Sequence, residues 1–236
     1  IADRFGGKGI EEIWVVARRL ERLKRLQRQA AVPLRLFALD LTEEDSLDVL
    51  KWELAKRAPK VKILVNAAGY GRMGRVEDGD LPGETGMVRL NCEALCGVTQ
   101  ITLPYMADHG RILLFGSAAG FLPQPGFAVY AAAKAFVVSF GRALNVELKK
   151  RDIVVTTVCP GPVRTEFFET EGMEGDIPFY KRLVMAEPKR VVKKALRDSM
   201  MGKSVSVYGW MMKGFWLMCK VVPHEALLRL QDCEKR

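Results

Sequence analysis

Histidine is scarce in this chain. Only His109 and His224 occur, and neither has evident partners for a triad. Both are read as structural or exposed. The five cysteines, Cys92, Cys96, Cys159, Cys219 and Cys233, are odd in number and lack disulfide-like spacing. That excludes a disulfide framework and points to a reducing, cytoplasmic compartment. Cys92 and Cys96 stand one helical turn apart, but no His or second Cys pair nearby completes a metal site. No metal is expected. No run of eighteen apolar residues is present, so a membrane-spanning helix is not expected. No secretory signal is expected at the start.

Acidic charge is in deficit. Thirty-seven Lys and Arg stand against 28 Asp and Glu, a formal charge of +9. Clusters occur at Arg18-Arg19, at Arg22-Lys24-Arg25-Arg28 and at Lys189-Arg190-Lys193-Lys194. The last two read as solvated basic helix faces. No nucleic-acid recognition motif accompanies them, so no nucleic-acid partner is expected. A phosphate-rich cofactor or an anionic membrane surface would suit the excess. Hydrophobic content of 49% and charged content of 28% are ordinary for a globular chain. The length suits one α/β domain.

The most informative stretch runs from Gly116 to Lys134. An apolar strand, Arg111-Ile112-Leu113-Leu114-Phe115, delivers Ser117 to its C-terminal end. A loop with Pro123 and Pro125 follows, and a helix opening at Tyr130 carries Lys134 four residues later. Positions i and i+4 share a helix face, so a phenol and an ammonium project side by side. A phenol with a pKa near ~10 is a weak acid-base group at neutral pH. A neighbouring cation favours its ionised form. The tuned phenol can protonate a carbonyl oxygen, or remove an alcohol proton in reverse. Ser117, 13 residues before Tyr130, can fold back to hold the same oxygen. The plainer alternative is an ordinary surface pair.

Four further segments accompany it: Asp40 after a strand, Asn66-Ala67-Ala68-Gly69, Asn91 within Leu90-Asn91-Cys92, and Pro160-Gly161-Pro162-Val163-Arg164-Thr165. In this order and spacing the chain resembles the short-chain dehydrogenase/reductase family over nearly all its length. The resemblance implies a single Rossmann-type domain over residues 1–236, with a doubly wound, mostly parallel sheet of seven strands once a first strand missing from this sequence is restored. It implies reduction of a carbonyl, or oxidation of the matching alcohol, with a nicotinamide cofactor. Tyr130 would be the acid/base. Lys134 would tune it and bind the nicotinamide ribose. Ser117 would orient the substrate oxygen. Asn91 would kink its helix and hold a water that relays protons through Lys134. A homodimer or homotetramer is implied as well.

The first residues, Ile1-Ala2-Asp3-Arg4-Phe5-Gly6, read as the tail of a helix. The family's first strand and its glycine-rich phosphate turn are not in the sequence. Upstream residues are therefore expected. The alternative is a chain that binds no dinucleotide, or binds it without turnover as a regulatory module.

Glu12 to Ala17 reads as a buried parallel strand. In the family its end meets the adenosine ribose. Ala17 occupies the place of the acid that would bind an NAD 2′-hydroxyl, and Arg18 follows. A guanidinium there pairs with the 2′-phosphate of NADP, so NADP(H) is the expected cofactor. Otherwise Arg18 merely begins the next helix.

Pro33 to Asp40 reads as the next strand, with Asp40-Leu41 at the adenine ring by resemblance, Asp40 as a cap of the turn as its plainer or additional role, and Thr42 as a helix N-cap. Val61 to Asn66 is another strand. It runs into Ala67-Ala68-Gly69, where small residues admit a ligand to the backbone. The family's second asparagine is Ala67 here. The glycine-broken loop Tyr70 to Arg75 follows, at the expected mouth of the active site.

A long helix is expected over Glu84 to Met106, with Asn91 inside it. Ile153 to Cys159 is a strand broken by Pro160-Gly161-Pro162, a loop that in the family packs on the nicotinamide. Val163 belongs to the same turn, and Thr165 would contact the carboxamide or phosphates. Residues 166–186 match the family's variable substrate loop, and their Phe and Met content points to a hydrophobic substrate. Ser204 to Tyr208 reads as the last strand. The segment of about 210–230 is bulky, with Trp210, Met211, Phe215, Trp216 and Met218 among lysines. It reads as core or subunit interface, or else as a peripheral membrane contact or acyl pocket.

Overall fold

Strands and helices alternate along the described residues, and every strand pair among them is parallel. The structure is a computed structural model that describes residues 9–164 and 185–233. Thr165 and residues 166–184 of the expected substrate loop lie outside the described residues.

The strands are β1 (Ile13–Ala17), β2 (Leu34–Ala38), β3 (Val61–Asn66), β4 (Met106–Phe115), β5 (Val154–Cys159) and β6 (Val205–Val207). The helices are α1 (Leu20–Gln29), α2 (Glu44–Arg57), α3 (Leu81–Val88), α4 (Ala94–Thr102), α5 (Ala128–Glu147), α6 (Pro188–Met200), α7 (Trp210–Val221) and α8 (His224–Cys233). A π-helical turn, Arg89–Glu93, joins α3 to α4.

The strands form two sets, β1-β2 and β3-β4-β5-β6. This is the α/β, doubly wound, Rossmann-type arrangement expected. The described residues contain six strands, the number expected of a seven-stranded sheet without its first strand, and none of them joins β1 to β3.

Side chains along a strand alternate between faces, and β4 shows why this sheet is buried on both. Ile112 and Leu114 pack with Val137 and Leu144 of α5 and Leu95 of α4. Leu113 points the other way, to Val158 and to Val191, Ala195 and Leu196 of α6. Burying each such leucine stabilises the fold by roughly 2 kcal/mol.

Three expectations about elements are corrected. The helix expected over Glu84–Met106 is broken by the π turn at Asn91, and it ends before Met106, which pairs with Val61 in β4. Strand β4 therefore starts at Met106 rather than Arg111. Between Val61 and Ile63 the register slips against the segment Met106–Arg111, where His109 takes a positive φ of 60°. That irregular stretch reads in sequence as a turn. Thr42 is not the cap of α2. Its hydroxyl and N–H both donate to Asp40 Oδ1, at 2.7 and 3.0 Å, and Glu43 holds the cap position without a side-chain bond.

Candidate functional site

In an open parallel sheet, ligands bind outside the carboxyl ends of the strands. The expected site residues gather there. Arg18 follows β1, Asn66 ends β3, Ser117 lies just past β4, and Pro160 follows β5. The Ala118 N–H donates to the Pro160 carbonyl at 2.9 Å, tying the last two loops together.

Helix α5 begins at Ala128, so Tyr130 lies in its first turn and Lys134 one turn further, both buried. The Lys134 ammonium donates to the carbonyl of Phe115 at 3.0 Å and sits 5.5 Å from the centroid of the Tyr130 ring. Burial lowers its pKa to about 8, against the opposing pull of the Cys92 and Cys159 thiols. Burial in turn pushes the Cys159 thiol up to about 12.

Tyr130 is held from several sides. Phe127 stacks on its ring with centroids 4.4 Å apart. Met87 and Ala119 pack against it. A methyl group on Gly71 would come within 2.6 Å of the ring, so only glycine allows the loop this close. Ser117 Oγ accepts the Ala119 N–H at 3.1 Å. That leaves the hydroxyl proton of Ser117 able to donate.

Asn91 is fully buried. Its Nδ2 donates to the carbonyls of Tyr70 at 2.7 Å and Met87 at 2.9 Å. The second bond takes the carbonyl one turn back, the competition with the helical ladder that accompanies such a bulge. Its Oδ1 is buried without a hydrogen-bond partner. A methyl on Gly69 would lie 2.4 Å from that oxygen and 3.2 Å from Lys134 Nζ. An unused acceptor and a buried ammonium thus line one spot beneath Gly69.

Asn66 instead fastens the end of β3 to α4, donating to Thr99 Oγ1 at 2.8 Å. Ala67 and Gly69 are exposed. Arg18 and Asp40 form a second group at the ends of β1 and β2, with Nη1 and Oδ2 3.6 Å apart. Burial pulls the Asp40 pKa upward, but the Thr42 bonds and Arg18 together hold it below the usual carboxylate range. Leu41 lies in the turn that follows, half-buried. Val163 forms a parallel bridge with Ala186, and Gly161 lies against Met212 of α7. Among the described residues no group of His, Cys, Asp and Glu is able to hold a metal.

Ser117, Tyr130, Lys134, Asn91 and Gly69 are thus brought to one locus, and Arg18 with Asp40 to another. The Phe115 carbonyl and the Phe127 ring were not foreseen as parts of the site, whereas Gly71 belongs to the loop expected at its mouth. Phe127 carried a signal, an aromatic three residues before Tyr130 at a helix entry. The Phe115 carbonyl carried none, because it is a backbone atom on another element.

The residues present fit a dinucleotide. Gly69 lets the exposed backbone after β3 lie directly over Asn91 and Lys134, where a side chain would collide, beside an unsatisfied buried acceptor. Arg18, its side chain 68% exposed, offers a guanidinium at a strand end.

A short chain dehydrogenase family profile matches residues 1–174. The sulfoacetaldehyde reductase of Chromohalobacter salexigens is 35% identical over 172 residues, covering 70% of this chain and 68% of that protein. An NADP-dependent 3-hydroxy acid dehydrogenase of Escherichia coli is 31% identical over 179 residues, covering 75% and 72%. Among solved structures, a short-chain dehydrogenase from Sphingobium yanoikuyae in complex with NADPH superposes with a TM-score of 0.79. It is 27% identical, over 98% of this chain and 89% of that one. The chain belongs to the short-chain dehydrogenase family. It is an NAD(P)-dependent oxidoreductase of alcohol and carbonyl groups.

Proposed function

We propose that this protein reduces a carbonyl, or oxidises the matching alcohol, with NADP(H), acting on a hydrophobic small molecule through Ser117, Tyr130, Lys134 and Asn91. The observation that carries this reading is the buried Lys134 ammonium, anchored on Phe115 and set 5.5 Å from the Tyr130 ring.

When bound, the nicotinamide supplies the hydride chemistry. The chain's own residues manage the oxygen and the proton. Tyr130 gives its hydroxyl proton to the substrate oxygen, or takes one from it. Lys134, whose lowered pKa leaves it mostly protonated at neutral pH, stabilises the phenolate that results. Ser117 donates its hydroxyl proton to the same oxygen and holds it in place. Asn91 offers Oδ1 as an acceptor beside Lys134 for returning protons.

Arg18 would hold the 2′-phosphate, and Asp40 and Leu41 the adenine end. Asn66, Ala67 and Gly69 would support the middle of the cofactor, with Tyr130 and Lys134 at the nicotinamide ribose. Pro160, Gly161, Val163 and Thr165 would surround the nicotinamide. The choice of NADP rests on Arg18 and on relatives whose names carry NADP or NADPH. The apolar character of the substrate is supported by Tyr70, Met87, Phe127 and Val129 around Tyr130.

We place the whole chain, 1–236, in one such domain, with residues 166–186 as substrate loop. A homodimer or homotetramer is supported by the partly exposed Phe136 and Phe140 pair stacked on α5. Unpaired Cys92, Cys96, Cys159 and Cys219 suit a cytoplasmic setting.

The test is NADPH consumption over a panel of apolar ketones and aldehydes. Wild type should turn over at least one of them. Tyr130→Phe should lose nearly all turnover, roughly 100-fold or more, and still bind NADPH by fluorescence. Equal turnover in the variant would sink the mechanism.

A further inference from the structure

Helix α7 has two apolar faces, and only one of them is spent on the fold. Met212, Phe215, Trp216 and Cys219 pack on Phe121, Leu122 and Val207. At about 100° per residue, Trp210, Leu217, Val221, Met211 and Met218 fall on the opposite side. Trp210 is 83% exposed, Val221 74% and Leu217 60%. Lys213 and Lys220, seven residues apart, share the flank beside Leu217, and both are exposed. The Lys220 ammonium rests 3.7 Å from the Trp216 ring centroid, at the seam between the two faces.

The helix has 12 residues, a length of about 18 Å. A bilayer core is about 30 Å thick, and no helix among the described residues is long and apolar enough to cross a membrane. An apolar face with a terminal tryptophan and a lysine flank is the pattern of a helix lying in the plane of an interface. The charge identifies which interface. The chain carries +9 overall, and the flanking ammonium groups favour anionic headgroups. A second copy is the poorer occupant. A two-fold antiparallel packing of this face sets both lysine flanks along the same edge, like charge against like.

We propose that α7 docks in the plane of an anionic phospholipid surface. Trp210, Leu217 and Val221 enter the headgroup–acyl boundary, and Lys213 and Lys220 meet the lipid phosphates. This inference does not depend on the reaction assigned above.

The experiment is co-sedimentation of the full chain with phosphatidylcholine vesicles, with and without phosphatidylglycerol. Wild type should sediment with the phosphatidylglycerol vesicles, stay behind with pure phosphatidylcholine, and release as salt rises. Replacing Lys213 and Lys220 by alanine should weaken binding about fivefold per residue. The triple variant Trp210→Ser, Leu217→Ser, Val221→Ser should abolish it while circular dichroism and melting remain those of wild type. Four results would overturn the proposal: wild type left in the supernatant with anionic vesicles, equal binding to neutral ones, undiminished binding of a folded triple variant, or a wild-type dimer that the triple substitution splits into monomers.

Discussion

The Lys134 ammonium donates to the Phe115 carbonyl across 3.0 Å. A residue of helix α5 is thereby locked to the last residue of strand β4. The cation that serves Tyr130 is held by a backbone atom and has little freedom to wander. It is also buried, and burial has a consequence for stability.

The pKa of Lys134 falls from the ordinary 10.5 to about 8 because burial disfavours its charge. Below pH 8 both native and unfolded chains hold the proton, and the cost of burying it is present in full. Between pH 8 and 10.5 the unfolded chain binds more protons than the native one, so this residue makes stability rise with pH. Relative to Lys134→Met, wild type should gain about 3 kcal/mol over that window. Urea unfolding of both proteins at pH 7 and pH 10 checks it. Parallel stability profiles would remove the depressed lysine from the account.

Gly69 faces Asn91, whose amide nitrogen is committed to Tyr70 and Met87. A methyl placed 2.4 Å from Asn91 Oδ1 has no flexible neighbour to displace. Gly69→Ala should cost about 1–3 kcal/mol of stability, as overpacking does, and should weaken NADPH binding. Urea midpoints and a fluorescence titration measure the two effects. A variant as stable and as tight as wild type would mean that this contact is soft.

Arg18 is expected to read the 2′-phosphate. A charge-assisted bond of this kind is worth roughly 1.5–3 kcal/mol, so Arg18→Ala should raise the Kd for NADPH by about 10-fold or more. The Kd for NADH should move little. Titration with both cofactors separates the cases, and equal losses for the two would assign Arg18 a structural role through Asp40.

Asp198 on α6 is buried, with Lys194, Lys203 and Ser206 on its two oxygens. Burial alone would raise its pKa, but these three bonds outweigh it and hold the value below the ordinary 3.8. Its contribution is therefore present above about pH 4 and lost as pH falls through the lower native value. Asp198→Ala should destabilise the fold by about 1–3 kcal/mol at pH 7, since it leaves the buried Ser206 hydroxyl without its acceptor while Lys194 and Lys203 keep access to water. The gap to wild type should narrow in acid. Chemical denaturation at pH 7 and pH 3 is the check.

Much of this was legible in the residues. The i, i+4 spacing of Tyr130 and Lys134 places them on one helix face wherever the helix goes. The apolar runs ending at Ala17, Asn66 and Cys159 announce parallel strands buried on both sides. Asn91, a poor residue for a helix interior, marked the π turn. The start of β4 was not legible. Ala107-Asp108-His109-Gly110 has the composition of a turn, and only pairing with β3 draws it into a strand. The Thr42 cap was misread because Asp40 competes for the same hydroxyl, and the winner is a matter of geometry. The two faces of α7 were hidden as well, since a helix apolar on both sides of its lysine flank does not declare which side the protein covers.

Local properties follow from nearest neighbours: helix phase, strand alternation, a breaker at Pro160, a cation one turn from a phenol. They are set by dihedral preference and side-chain period, and they were present in the linear chain. Contacts between elements distant in sequence depend on how those elements pack. The Phe115 carbonyl under Lys134, the meeting of Asn91 and Lys134 beneath Gly69, and the pairing of Arg18 with Asp40 each join segments whose separation along the chain says nothing of their distance in space. Only the folded sheet, with its strands parallel and their carboxyl ends aligned, brings those partners within bonding range.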